Sequence, residues 1–499
     1  MTVTVRSTSA RPLSRALILG LLLAPLPAFA DGAFEAPIPF AGTLRVSGEQ
    51  AGGPIVAGNT VTVQGQGLVA GQKLVLQRGA TVLNPGAPLV VGVDGKVSGD
   101  FKLPADAAIG IHPIVVIAEQ PSAASILDLK VSPLVPVSGA DRFEISANRM
   151  VRGLYQVAYG ENSKALFVTA AVGRPPVRDS ALLKVDPTTL EIIARATPAA
   201  APERPRPDPA ARPAFLGGAP AAPAAPGPGP GGEGQQPQGP AVYAVYGVGV
   251  DDANGTVWVT NTRQNTVAVY KQSDLSLVKQ FEPEAVNHSR DVVVDDKRGR
   301  AYVSAAMTSQ IVVFDTKTLE KTATIDIPST KRGDEFQVMS LDLDAAGGQL
   351  FTVSQTTPEI AVIDVAAGRV TKVITYEGAK GATGVAYDPV TKRIFVSSFS
   401  NDNLIIVDSE SGKTLQVVPV GAGALNVEFE PVKRLAYVSN RGSGTLTVVD
   451  PDGKIVANLD NGAMPNFAAA DGKGTVYAVN KGRGEDESAD RLTRIRLVK

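Results

Sequence analysis

An aromatic residue inside a short β-rich run recurs seven times along this chain, and that echo limits what the chain can fold into. The runs are Leu166-Phe167-Val168-Thr169, Val257-Trp258-Val259-Thr260, Ala301-Tyr302-Val303-Ser304, Leu350-Phe351-Thr352-Val353, Ile394-Phe395-Val396-Ser397, Ala436-Tyr437-Val438-Ser439 and Val476-Tyr477-Ala478-Val479. From Trp258 onward the aromatics lie 44, 49, 44, 42 and 40 residues apart. A period of about 40–45 residues with several short strands per unit marks propeller blades. One such sheet cannot bury both faces alone, so the units must pack in a ring.

A second echo follows each aromatic. An apolar run ends in Asp and leads into a turn, as in Val185-Asp186-Pro187, Phe314-Asp315, Ile363-Asp364, Val407-Asp408 and Val449-Asp450-Pro451. Asp, Pro, Thr and Gly form turns for distinct backbone reasons, so this reads as strand, hairpin, strand. Asp251, Asp295, Asp344, Asp388 and Glu430 each lie seven positions before their aromatic and open the preceding hairpin. Each repeat therefore predicts four strands, and the fold class is all-β, a seven-bladed β-propeller over residues 143–499.

Tyr437-Val438-Ser439-Asn440 and Trp258-Val259-Thr260-Asn261 resemble the YVTN-type repeat of bacterial and archaeal envelope proteins. The stretches opening at Gly153-Leu154-Tyr155 and closing at Asp490-Arg491-Leu492 extend the likeness to YncE-like periplasmic propellers. The resemblance implies a propeller, and by analogy DNA binding; the N-terminal domain and a Pro-rich insertion depart from it. The last repeat ends with almost no chain left for a fourth strand. The unclaimed run Arg142-Phe143-Glu144-Ile145-Ser146 is predicted to supply it and so remove an exposed sheet edge.

Arg6, Arg11 and Arg15 precede a short apolar core, Ala16 to Leu23, and Ala28-Phe29-Ala30 precedes Asp31. This pattern predicts a signal peptide over 1–30, cleaved between Ala30 and Asp31, and a periplasmic or extracellular mature protein without a membrane span. With no cysteine, disulfides and thiolate sites are excluded. Lys plus Arg (48) nearly balances Asp plus Glu (49), so overall charge selects no partner. Residues 42–135 alternate short apolar runs with Gly, Pro and Asn turns, predicting an Ig-like β-sandwich. Residues 198–240 contain thirteen prolines and are expected to be a disordered insertion.

The loops on one propeller face carry Arg174, Arg178, Arg263, Arg441, Lys481 and Arg483, with Arg152, Arg290, Lys331 and Arg332 at strand starts. Tyr155, Tyr243, Tyr246, Phe336 and Phe399 lie nearby. Cations with stacking groups suit single-stranded nucleic acid or another polyanion. The candidate ligand residues are Arg152, Arg263, Arg290, Arg441, Lys481, Arg483, His288, Tyr155 and Tyr246. His288 is the propeller's single histidine, which argues against His-rich metal sites and catalytic triads. Gly412-Lys413-Thr414 imitates the end of a phosphate-binding loop, but Val407 stands where its first glycine belongs. The channel is expected to hold scattered Arg and Asn with few acids. The reading is therefore a monomeric, non-catalytic binding or scaffold propeller without cofactor or metal, docking a polyanion or an envelope protein. Its alternative is a hydrolase resembling the lactonase propellers.

Overall fold

The computed structural model describes residues 38–498 except 51, 174, 203–238, 379–380 and 483–485. The predicted signal peptide, most of the Pro-rich insertion, and Arg174 and Arg483 lie outside the described residues. Strands from Thr43 to Val131 form two sheets. Val61, Val63 and Phe101 of one share a core with Leu74, Leu76, Ile114, Val116 and Leu129 of the other. Strict alternation along Thr60–Gln66 and Gly110–Glu119 gives each strand one buried face.

Among the described residues, the remaining chain forms seven antiparallel four-stranded sheets. Their inner strands are Leu154–Gly160, Val248–Asp251, Ser289–Asp295, Val338–Asp344, Ala382–Asp388, Ala424–Glu430 and Pro465–Ala470, here blades 1 to 7. Each inner strand touches the next, and the seventh touches the first, so the ring is closed. The repeat aromatics sit on the second strands and are fully buried. Trp258 of blade 2 packs 5.7 Å from Phe314 of blade 3. Phe351 stacks on Tyr387 at 4.3 Å, and Phe395 on Phe429 at 5.2 Å, each across a blade boundary. Every boundary has its own apolar cluster drawn from two neighbouring blades. The core is thus seven wedges rather than one centre.

The recurring acids serve the turns. Asp315 Oδ1 accepts the backbone N–H groups of Lys317 and Thr318 at 3.0 and 2.8 Å. Asp364 does the same for Ala366 and Ala367 at 2.8 and 2.9 Å. These bonds hold both carboxyls below the ordinary aspartate value, with backbone donors as the leading cause. Glu430 is buried and takes the N–H groups of Val432 and Lys433 at 2.9 and 2.7 Å, closing the first hairpin of blade 6.

Ring closure follows the predicted seam. Phe143–Arg149 pairs antiparallel with Arg491–Leu497, setting Ile145 opposite Ile495 and Ala147 opposite Thr493. Chain start and chain end of the propeller thus share one blade. Because the chain lacks cysteine, the seam is directly testable. An Ala147→Cys, Thr493→Cys double variant should crosslink on oxidation. The bond should raise stability by ~2–4 kcal/mol, read as a higher melting temperature that reductant reverses. Failure to crosslink in native protein would place the seam elsewhere.

Candidate functional site

The inner strands do not run straight to the end of the channel. Pairing with the second strand shifts register between Leu154 and Val157, Ser289 and Val292, Val338 and Leu341, Ala382 and Gly384, Ala424 and Asn426, and Pro465 and Phe467. A bulge adds a residue and re-aims side chains, often beside functional sites. Here the bulged residues Tyr155, Gln156, Arg290, Met339, Ser340, Thr383, Leu425 and Asn466 all line a cavity of about 400 Å³ at the channel mouth. Repeat hydroxyls take up the backbone groups that the bulges free. Asp291 N donates to Ser304 Oγ at 3.0 Å, and Thr352 Oγ1 donates to Ser340 O at 2.8 Å. In blade 2 the Thr260 hydroxyl does this work, accepting Gly247 N at 2.7 Å, and position 247 must be glycine because a Cβ there would lie 2.4 Å from Arg290 O.

Cations and rings converge in the cavity. Arg263, from the turn Thr262–Gln264, donates from Nε to the Tyr246 hydroxyl at 3.4 Å. The Tyr155 and Tyr246 rings meet edge to face at 4.3 Å. Arg441 donates to Asn466 Oδ1, and Asn466 Nδ2 donates to Tyr155 O at 2.6 Å. Arg290 is half-buried with its Nε unpartnered, and burial pulls its guanidinium below the ordinary value. His288 lines the cavity together with Arg263 and Arg290. Its backbone is left-handed (φ 44) and its N–H is held by Asn265 Oδ1 at 2.9 Å. Burial, then the charges of Arg263 and Arg290, pushes its imidazole pKa down and keeps it neutral.

Of the nine residues expected from sequence, Tyr155, Tyr246, Arg263, His288, Arg290 and Arg441 line this cavity. Lys481 stands behind it, its Nζ 3.6 Å from the centre of the Tyr155 ring. Burial, then Arg441, brings its ammonium to about 7, while the Tyr155 face favours the charged form. Arg152 is exposed and absent from the lining. The expectation of few channel acids is corrected. Asp291, Asp342 and Glu428 lie further down the inner strands, coupled by mutual repulsion. Burial is the leading cause that raises all three, Asp342 to about 7 and Glu428 to about 8. Alternation along a strand conceals them in sequence, because nothing local says which face meets the channel. Among the described residues no group of three or more His, Asp or Glu is placed to hold a metal ion.

The family model for glutamine cyclotransferase matches residues 235–407, from the approach to blade 2 through the third strand of blade 5. No curated protein matches the chain. Among solved structures, the hydrazine synthase of Kuenenia stuttgartiensis is similar at TM-score 0.52 and 15% identity, over 69% of this chain and 96% of that one. Virginiamycin B lyase from Staphylococcus aureus is similar at TM-score 0.50 and 11% identity, over 71% of this chain and 100% of that one. A catalytically inactive variant of that lyase with quinupristin gives TM-score 0.50 and 10% identity, over the same shares. At these identities the solved structures speak for the fold alone. This is a β-propeller. The matched family is one of enzymes, and that overturns the expectation of a non-catalytic binding or scaffold propeller.

The channel acids give a signed pH dependence. An acid whose folded pKa is raised stabilises the fold below its unfolded pKa, and that contribution is lost as pH rises through the folded value. For Asp342 and Glu428 the window runs from their ordinary values of 3.8 and 4.5 to about 7 and about 8. The melting temperature should decline across this range and level off above it. Both side chains are only partly buried, and that exposure discounts the effect to roughly 1–2 kcal/mol for the pair. Asp342→Asn with Glu428→Gln keeps the hydrogen-bond acceptors and should flatten this limb. A double variant with an unchanged pH profile would show that the carboxyls ionise as freely as exposed ones.

Proposed function

We propose that the protein is an enzyme that moves a proton at a small substrate whose reacting group carries or develops negative charge in the channel mouth. The observation that carries this reading is the pairing of Arg290, half-buried with its Nε unpartnered, with the neutral His288 beside it. A guanidinium fixed in a concave site stabilises charge that develops in a transition state. A neutral imidazole within the same cavity is the group that accepts a proton near neutral pH. Arg263 and Arg441 extend the positive wall, and the Tyr155 and Tyr246 hydroxyls, kept protonated by burial, remain donors. We favour a small anion over the polyanion expected from sequence because these cations line one concave cavity, while Arg152 lies outside it.

The matched family's name supplies a concrete reaction, ring closure at glutamine. The amine nitrogen joins the side-chain amide carbon, His288 takes the amine proton, and Arg290 faces the developing oxyanion. The proton then passes to the leaving nitrogen and ammonia departs. The signal pattern ending at Ala30 and the YVTN-like repeats support placing this activity in the periplasm, with the N-terminal unit as an Ig-like accessory domain.

Ammonia release from peptides with N-terminal glutamine tests the reaction. His288→Ala should lower kcat/KM by about 10²–10⁴-fold, and Arg290→Met by about 10²–10³-fold. Neither change should greatly alter the melting temperature. Citrate should raise the melting temperature of the parent protein and do so less in Arg290→Met. Citrate binding without ammonia release would retain the anionic cup and discard glutamine as substrate. With neither response, the proposal fails.

A further inference from the structure

We infer that the N-terminal β unit is a working part of the channel mouth, with Lys130 as a positioning residue that holds one wall of the cavity. This rests on the reading of the mouth as the ligand site, but the contact itself stands on separate geometry.

Lys130 lies near the end of the strand Ala123–Val131, at the edge of its sheet. Its Nζ reaches across to blade 5, donating to Asp402 Oδ1 at 2.7 Å and to Phe399 O at 3.2 Å. The same ammonium sits 5.7 Å from the centre of the Phe399 ring. Phe399 lines the cavity. Asp402 is 1% exposed, so its carboxylate depends on the partners it has inside the protein.

From Asp402 the contact runs on towards the cationic wall. Asp402 Oδ1 also accepts Gly423 N at 2.6 Å, and Gly423 O accepts Arg441 N at 2.9 Å. A Cβ on Gly423 would sit 3.3 Å from Phe399 Cε2, so these two loops are in contact. One lysine of the N-terminal unit therefore touches the loop bearing Phe399 directly and reaches the loop bearing Arg441 through Asp402 and Gly423. The unit is also pinned at its linker. Asn458, on the outer strand of blade 6, donates from Nδ2 to Val135 O at 2.9 Å, and its backbone pairs with Ser138. Two attachments, on blades 5 and 6, set the unit's position relative to the mouth. A spacer domain would need the second attachment only; the first is spent on a cavity-lining loop.

Lys130→Met in the full chain removes the charge and keeps most of the stem, and Lys130→Arg restores a cation. Hydrogen exchange of the segments 398–403 and 421–424 should quicken about tenfold in Lys130→Met, the equivalent of ~1.4 kcal/mol of lost local stability. It should stay near the parent rate in Lys130→Arg, with the inner strands of blades 2 and 3 unchanged in both. Citrate affinity, measured by calorimetry, should fall several-fold in Lys130→Met and recover in Lys130→Arg. Unchanged exchange at both segments would overturn the inference, and so would a citrate affinity indifferent to Lys130→Met. If the parent protein itself ignores citrate, the anionic-substrate reading falls, and the exchange result alone decides the role of Lys130.

Discussion

A closed ring of sheets leaves seven inner strands with one unpaired edge each, and the way those edges are satisfied governs the rest of this molecule. Backbone groups buried without partners cost about as much as lost hydrogen bonds, so the edges need donors and acceptors. Side chains supply them at every boundary. Gln156 Oε1 accepts Val248 N at 2.9 Å, Thr260 Oγ1 donates to Arg290 O at 3.1 Å, and Asp291 Oδ2 accepts Leu341 N at 3.0 Å. Ser340 Oγ donates to Thr383 O at 2.7 Å, and Thr383 Oγ1 to Ala424 O at 3.3 Å. Asn426 Oδ1 accepts Ala468 N at 3.0 Å, and Asn466 Nδ2 closes the circle on Tyr155 O at 2.6 Å. The polar ring around the channel is therefore a structural requirement before it is a binding surface.

That requirement constrains the site. Gln156, Ser340, Thr383, Asn426 and Asn466 both stitch the ring and line the cavity, so they have little freedom to serve a ligand. The residues free to do chemistry are those the bulges and loops add beyond the stitching. Arg290 is bonded through its carbonyl, which leaves its guanidinium for the cavity. Asp291, its neighbour, spends its carboxylate on Leu341 and Val292 and on Gln156. Adjacent residues on one bulge thus divide the work, one holding the ring and the other facing the mouth.

The ring was legible in the sequence because its cause is local and repeated. Trp258, Tyr302, Phe351, Phe395 and Tyr437 recur at blade spacing because each fills the wedge towards the next blade. The seam was legible too, since the last repeat lacked a strand and Phe143–Ser146 had no other partner. The mouth was only partly legible. Arg263 and Arg441 stood out as charged loop residues, but a bulge leaves no mark in composition, so Gln156, Met339 and Ser340 passed unseen. Asp342 and Glu428 were missed for a different reason, each reading as an ordinary polar residue in an alternating strand beyond the bulge. The non-catalytic expectation failed because it looked for several histidines or metal-ligand sets. Such a tally cannot register one neutral imidazole placed among three guanidiniums by strands far apart in sequence.

Electrostatics connects these observations. The chain carries a formal net charge of −1, yet Arg263, Arg290 and Arg441 share one cup at the mouth while Asp291, Asp342 and Glu428 lie deeper in the channel. Such a gradient draws an anion to the mouth and resists its passage further down, because low-dielectric walls focus the field. It also acts on the site's own groups. Burial first, and then the guanidiniums that attract the substrate, keep His288 unprotonated, so capture of the anion and readiness to accept a proton are linked. A substrate that neutralised Arg263 or Arg290 on binding would raise the His288 pKa as it arrived, making the imidazole a stronger base once the cup was filled.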